Sequence, residues 1–406
     1  MKILMANKYF YRKGGAEISF FETANLLKSR GHKIIFFSMQ NDKNLNSVYE
    51  KYFVTNTDYE HGNLIKKINA IAKLLYSFEA KRKIESLIKD ELPDIVHLNN
   101  IYHQISPSIL HTIKKYHIPI VMSLRDYKLV CASYSMLANE KVCDACRNNR
   151  YYNCFLNKCV KQSRLKSFVN TLEMYLHHKI LHMYDLVDIF ISPSKFLKLK
   201  LEEMGFKGKI IYLPNFVKTE DYKPQYTWQE NAIVYFGRLS KEKGLFTLID
   251  AIKDLNRIVL KVIGEGPLKE SLELKVESLK LNNVKFLGYK TGHKLHDEIR
   301  KSMFVVCPSE WNENNPRSII ESFALGKPVI GSSIGGINEL IRDNETGLLF
   351  EPGSPYDLRS KIEYLIYNPD KIIEMGRNAR LFVEKELQAE RHYRELMNIY
   401  NQALNK

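Results

Sequence analysis

The chain has no apolar run near the roughly 20 residues that a membrane-crossing helix needs, which excludes a spanning segment. It also has no leader pattern. The opening MKILMANKYFY has a short apolar core that runs straight into a Gly-rich turn, unlike a secretory signal. The expected location is therefore the cytoplasm. Acidic side chains are in deficit, with 46 Asp and Glu against 61 Lys and Arg, a formal net charge of +15. Such an excess calls for an anionic partner, either nucleic acid or an anionic membrane surface. No helix-turn-helix, zinc-finger or RNA-binding signature with its aromatics is present, so nucleic acid is not expected. There is no internal repeat and no low-complexity segment.

Cysteine is scarce outside one stretch. Five of the six, Cys131, Cys143, Cys146, Cys154 and Cys159, fall between positions 131 and 159. The last four are spaced C-x2-C-x7-C-x4-C, the ligand count and spacing of a compact structural zinc site. The sequence from Asn139 to Asn157 is polar with little periodicity, so it needs a staple to be ordered. A cytoplasmic chain disfavours disulfides. A structural zinc on Cys143, Cys146, Cys154 and Cys159 is one reading. Free thiols or disulfides are the others, and Cys131 either stands apart as a buried thiol or replaces one of the four. No paired His marks any of them as a nucleophile.

What is present reads as α/β. A length of 406 residues exceeds one ordinary core, so two domains are expected. Ile3–Ala6 and Lys33–Ser38 are short strands around a helix from Ala16 to Arg30, a βαβ opening that implies a parallel sheet. Further strands are expected at 93–97, 118–124, 187–192 and 209–213, with a linker at 214–218. Strands at 232–236, 259–263, 284–288 and 303–307, and one beginning at Pro328, repeat the rhythm. The expected division is 1–216, with the Cys-rich insertion at about 131–160, then 217–386, then a terminal helix at 387–406. A long helix is expected from about Gly62 to Glu91. Within it Leu64, Ile68, Ile71, Leu75 and Phe78 recur at helical spacing beside Lys66, Lys67, Lys73, Lys81, Arg82 and Lys83. That pattern can lie on anionic lipid, or be an ordinary helix with a solvated basic face. Gly264-Glu-Gly-Pro267 invites a dinucleotide reading, but position 269 is Lys where a third Gly belongs.

The chemistry-bearing residues sit where strands pass into helices. Pro308 to Gly336 runs from a strand through an Asn-rich turn into a helix whose first amides have no partner within it, a place for an anionic group. Glu313 and Glu321 flank that junction, eight residues apart. A carboxylate accepts two hydrogen bonds and suits a vicinal diol. Arg238 and Lys243 flank the junction after 232–236, where a planar fork and a point charge suit a pyrophosphate. Gly14 and Gly15 allow close backbone approach after the first strand, or serve a tight turn with φ > 0. Asn99, Asn100 and His103 follow the 93–97 strand, where they can face substrate or be structural. Arg125 follows the 118–124 strand. It cannot lose a proton near neutral pH, so it holds phosphate or anionic charge and is not a general base.

Glu313-x7-Glu321 with Ala324-Leu-Gly-Lys-Pro-Val-Ile330, Phe236-Gly-Arg238 with Lys243-Gly244, and Gly14-Gly-Ala-Glu17 stand in one order along the chain. That ordered set resembles the retaining family-4 glycosyltransferases, the glycosyl transferases group 1. The resemblance implies two Rossmann-like β/α/β domains facing across a cleft, the GT-B type, with a C-terminal helix crossing back to the first domain. It implies a nucleotide-sugar donor, most simply UDP-linked. Glu313 would hold donor-sugar hydroxyls and Glu321 the ribose diol. Backbone at Arg317 and Ser318 would meet the distal phosphate, and the loop at Gly15 would face the phosphates. Arg238 and Lys243 would stabilise the leaving group. Pro316 stands where many relatives have Gly and Arg125 where many have His. No Asp-x-Asp triplet occurs, so no catalytic metal is implied. The acceptor would be a glycan or a polyisoprenoid-linked glycan at the inner membrane face, in surface polysaccharide assembly, with Asn99, His103 and Arg125 on the acceptor side. The rival readings are a nucleotide-sugar epimerase on the same fold and a zinc-knuckle nucleic-acid-binding protein.

Overall fold

A computed structural model describes residues 1–57, 64–139 and 141–405. The chain forms two compact units, Met1–Pro214 with Tyr393–Lys406, and Asn215–His392. Among the described residues no helix is long and apolar enough to cross a membrane.

The first unit is built on six parallel strands: β1 (Lys2–Ala6), β2 (Lys33–Phe37), β3 (Ile95–Leu98), β4 (Ile120–Ser123), β5 (Ile189–Ser192) and β6 (Ile210–Tyr212). Their order is β2-β1-β3-β4-β5-β6. The four residues of β3, β4 and β5 are all buried, as strands covered on both faces must be. The strand order reverses between β1 and β3, so the loops leaving these two strands diverge and leave a crevice between them.

Around this sheet stand α1 (Gly15–Ser29), α2 (Leu64–Leu75), α3 (Phe78–Glu91), α4 (Tyr152–Leu156) and α5 (Arg164–Tyr175). The single long helix expected up to Glu91 is two. Ser77 lies extended and its hydroxyl accepts from the Ala80 amide at 3.1 Å, capping α3 and ending the run. The expected start at Gly62 lies outside the described residues. Helix α5 is also short. After Tyr175 it loosens into a π turn at Leu176–Ile180 and a 3-10 turn at Met183–Leu186.

The second unit carries β7 (Ala232–Phe236), β8 (Val259–Ile263), β9 (Val284–Phe286), β10 (Phe304–Cys307), β11 (Val329–Ser332) and β12 (Gly347–Phe350). The order is β9-β8-β7-β10-β11-β12, all parallel. That is the doubly wound 3-2-1-4-5-6 arrangement, with its switch point between β7 and β10. Helices α6 (Leu245–Ile252) and α7 (Arg317–Ala324) follow those two strands.

The last helix, α8 (Ala389–Leu404), belongs mostly to the first unit. Its Leu396, Ile399, Tyr400 and Ala403 are buried at helical spacing. The Tyr400 hydroxyl lies 2.6 Å from His97 Nδ1 on β3, and Tyr393 Oη lies 3.0 Å from His32 Nε2.

Candidate functional site

The switch point of the second unit brings together two loops far apart in sequence. The loop after β7 carries Arg238 and Lys243, and the loop after β10 carries Glu313. Gly244 takes φ +67, and a Cβ there would lie 1.8 Å from the Pro308 carbonyl oxygen, so only glycine lets the two loops pack. The Lys243 ammonium is bonded to Glu313 Oε1, which also accepts from the Ser309 hydroxyl at 2.7 Å. Lys243 Nζ stands 5.5 Å from the centre of the Trp311 ring. Burial disfavours the ionised carboxyl of Glu313, but the Lys243 charge outweighs it and holds the group below the usual carboxylate range. Gly336 donates its amide to the Glu313 carbonyl at 2.6 Å, which fixes this loop against the start of the next one.

Arg238 is exposed on the same strand end, its carbonyl accepting from Tyr235 Oη at 2.8 Å. Glu321 lies one turn inside α7. It pairs with Arg317, Nε to Oε1 at 3.2 Å, and burial raises its carboxyl despite that partner. The Arg317 side chain is buried and also donates to the Phe216 carbonyl at 3.4 Å. Ser318 is the second residue of α7, half-buried, so its amide and that of Arg317 are among those with no acceptor within the helix. Thus Lys243 and Glu313 meet directly, Arg317 and Glu321 form a second pair, and Arg238 flanks the first.

At the crevice of the first unit, Gly15 is exposed as the first residue of α1. Gly14 before it is extended at φ −167, so neither glycine meets a demand for positive φ. Asn99 is buried at the end of β3 and accepts from Arg125 Nε at 3.3 Å. His103 lies apart from that pair. Its Nε2 is 3.3 Å from Glu173 Oε2 on α5 and 3.3 Å from Lys128 Nζ. Lys128 and Glu173 are 1% and 0% exposed and form an ion pair at 2.6 Å. Reading the sequence did not single out this pair. A signal was available: Glu173 falls on the same helical face as Ser167, Asn170, Thr171 and Met174, all turned inward.

The Cys-rich insertion holds a small hairpin, Leu137–Ala138 with Lys141–Val142, followed by α4. Cys131, Cys143, Cys146, Cys154 and Cys159 all line one small cavity there, and all are free thiols. Cys131 is thus part of the cluster. Burial raises the Cys131 thiol and pushes Cys146 up to about 12. The donor set suits a thiolate-loving ion, but among the described residues no group of three or more metal-binding side chains is spaced to hold one.

A model of glycosyltransferase family 4 matches residues 13–221, and a model of glycosyl transferases group 1 matches residues 218–382. An uncharacterised 42.6 kDa protein from the cps region of Klebsiella pneumoniae is 30% identical over 367 residues, covering 84% of this chain and 88% of its own. A D-rhamnosyltransferase of Pseudomonas aeruginosa is 33% identical over 158 residues, 37% of this chain and 41% of its own. Among solved structures, the sucrose-phosphate synthase of Thermosynechococcus elongatus superposes with a TM-score of 0.74 at 17% identity, over 99% of this chain and 98% of that one. An Anabaena protein in complex with UDP and glucose superposes with a TM-score of 0.68 at 18% identity, over 99% of each chain. These two likenesses establish the fold, of GT-B type.

Proposed function

This chain belongs to glycosyltransferase family 4, and from that premise we propose that it moves a sugar from a UDP-linked donor to a hydroxyl of a glycan acceptor, with retention at the anomeric carbon. The observation that carries the reading is the meeting of Lys243 and Glu313 at the switch point of the second unit, with Arg238 on the same loop as Lys243. Crevices at switch points are where such sheets bind nucleotides. The Anabaena complex with UDP and glucose favours a UDP-sugar, and the relative from a cps region favours surface polysaccharide as the product. An acceptor of that kind, carried on a polyisoprenoid lipid, would be met in the cytoplasm at an anionic membrane face.

In this proposal Arg238 and Lys243 stabilise the diphosphate oxygen that gains charge as the bond to the anomeric carbon breaks. The backbone amides at Arg317 and Ser318 add to them, and no catalytic metal takes part. Glu313, oriented by Lys243 and Ser309, holds hydroxyls of the moving sugar. Glu321 accepts from the ribose, and Gly15 lies by the phosphates. Asn99, His103 and Arg125 stand on the acceptor side. Attack from the face of the leaving group needs no enzymic nucleophile.

A thermal-shift screen of nucleotide sugars tests the reading, since a bound donor stabilises the fold by mass action. A UDP-sugar that raises Tm and is consumed only with a glycan acceptor is expected. Conversion of the donor to its epimer without acceptor would replace transfer by epimerisation. The two carboxylates separate in a donor titration. Glu321→Gln is expected to raise KM for donor while kcat changes less, because ribose contacts act alike in ground and transition states. Glu313→Gln is expected to lower kcat the more, because its partners belong to the sugar that flattens. The reverse pattern would exchange the two roles.

The thiol cavity carries a separate proposal, a structural zinc on Cys143, Cys146, Cys154 and Cys159 after rotation of their side chains. About one zinc per chain is expected by elemental analysis of reduced, chelator-washed protein, lost in both Cys143→Ser and Cys154→Ser. Freely titrating thiols in metal-free protein would refute it and leave the transferase reading untouched.

A further inference from the structure

The insertion has an inner and an outer face, and the outer one is built for contact. On α4 and α5, Cys154, Ser167 and Thr171 turn inward, with Cys154 Sγ 3.9 Å from the Ser167 carbonyl. Facing out are Tyr152, Phe155 and Leu156 on α4, and Leu165, Phe168 and Leu172 on α5. The spacings, i, i+3, i+4 and i, i+3, i+7, put each set on one stripe. Leu156, Leu165 and Phe168 are 63%, 68% and 51% exposed. The stripes join where the Phe155 and Phe168 rings meet edge to face at 6.0 Å. A contiguous exposed apolar patch marks an interaction site, unlike single exposed residues.

Charge says what covers it. Residues 145–172 carry Arg147, Arg150, Lys158, Lys161, Arg164 and Lys166 and not one Asp or Glu. All but the half-buried Lys158 are exposed. Glu173, which ends the acid-free stretch, is buried and neutralised by Lys128. Helix α2, which carries exposed Lys66, Lys67 and Ile68, packs against α5.

We propose that the outer face of α4 and α5 is a docking surface for an anionic phospholipid bilayer. Leu156, Leu165, Phe168 and their neighbours enter the headgroup–acyl boundary while the bases meet anionic headgroups. A second copy of the chain would set these bases against each other. A nucleic acid would leave the leucines uncovered. This deepens the membrane-face reading above but stands on residues outside the donor site.

The test is co-sedimentation of the full-length protein with vesicles. Phosphatidylcholine vesicles with and without about one-third phosphatidylglycerol are used, at low and at 0.5 M salt, where screening within a Debye length weakens surface attraction. Binding to the anionic vesicles alone, reduced by salt, is expected. Leu165→Gln with Phe168→Gln is expected to cut partitioning at least tenfold. Arg164→Gln with Lys166→Gln, exposed changes that leave the fold intact, is expected to cut it about fivefold per charge. The UDP-sugar thermal shift is expected to be the same in both double variants and wild type, so a failed transferase reading would show separately. No binding by wild type at low salt would overturn the proposal. So would variants that bind as wild type does, binding to polyglutamate in place of vesicles, or loss of a dimer on sedimentation velocity as the variants' only effect.

Discussion

Lys243→Ala is expected to lower turnover on the order of 100-fold or more, because it deletes a charge aimed at the developing diphosphate. Arg238→Ala is expected to do the same, yet the two should differ in stability. Arg238 is exposed, and its loss should leave the melting temperature near that of wild type. Lys243 is the counterion of Glu313, which is only 6% exposed. Removing it strands a buried carboxylate, and breaking a buried pair costs about 3–5 kcal/mol. Circular dichroism melts beside steady-state kinetics check this. Glu313→Gln in the Lys243→Ala background should recover stability and not turnover, since it removes the stranded charge. Near-wild-type transfer by both Arg238→Ala and Lys243→Ala would remove this loop pair from the donor site.

Glu173→Gln is expected to be the most destabilising single change in the first unit. It leaves Lys128, 1% exposed, without its counterion. A loss of about 3–5 kcal/mol corresponds to a fall in Tm of roughly 10 °C for a unit of this size. Replacing both partners with apolar residues, Lys128→Met with Glu173→Leu, should restore much of that, because an ion pair taken out of water gains little net energy. His103 bonds to the same carboxylate, so the double variant tests whether the pair only supports the fold or also positions His103. A kcat that stays low after stability recovers would assign it the second role.

The same cluster sets a pH dependence. Burial lowers His103 and His177, and pushes His178 down to about 3. These rings are neutral in the fold and protonate near pH 6.5 when unfolded. Their contribution is present above pH 6.5 and lost as pH falls toward 3. Burial also raises Glu173, but the Lys128 charge, with the hydrogen bond from neutral His103, outweighs it and holds the carboxyl below the usual range, so its contribution is lost on acidification as well. Tm is therefore expected to fall steadily between pH 6.5 and 4. A flat profile there would mean these groups are hydrated.

Reading residues alone went furthest where the signal is local. The alternation of short apolar runs with helical stretches places strands at 33–38, 232–236 and 303–307, and strands form at Lys33–Phe37, Ala232–Phe236 and Phe304–Cys307, because a strand buried on both faces is a continuous apolar run. It went wrong at residues 76–77, where the hydrophobic spacing continues across a break. Ser77 turns its hydroxyl onto the Ala80 amide, and a single capping bond outweighs a pattern of apolar positions. It also left Gly14 open between close approach and positive φ, and the extended backbone decides against the turn.

By itself, then, the sequence determined the α/β class, the succession of strand ends, and which of those ends bear Arg238, Lys243, Glu313 and Glu321. These follow from composition and spacing over a few residues. Only the tertiary structure decided the partnerships. Lys243 meets Glu313 because the strand order sets β7 beside β10, and Gly244 lets their loops touch. Lys128 meets Glu173, and Cys131 joins the other four thiols, because α5 and the insertion pack beside the loop after β4. An ion pair across 70 or 45 residues leaves no periodic trace, since its energy depends on distance in space and on how much water has been removed around it. The outward stripe on α4 and α5 is of the same kind. Its apolar spacing alone reads as a core face, and only the packing, which turns Cys154 and Ser167 inward, leaves those side chains to the solvent.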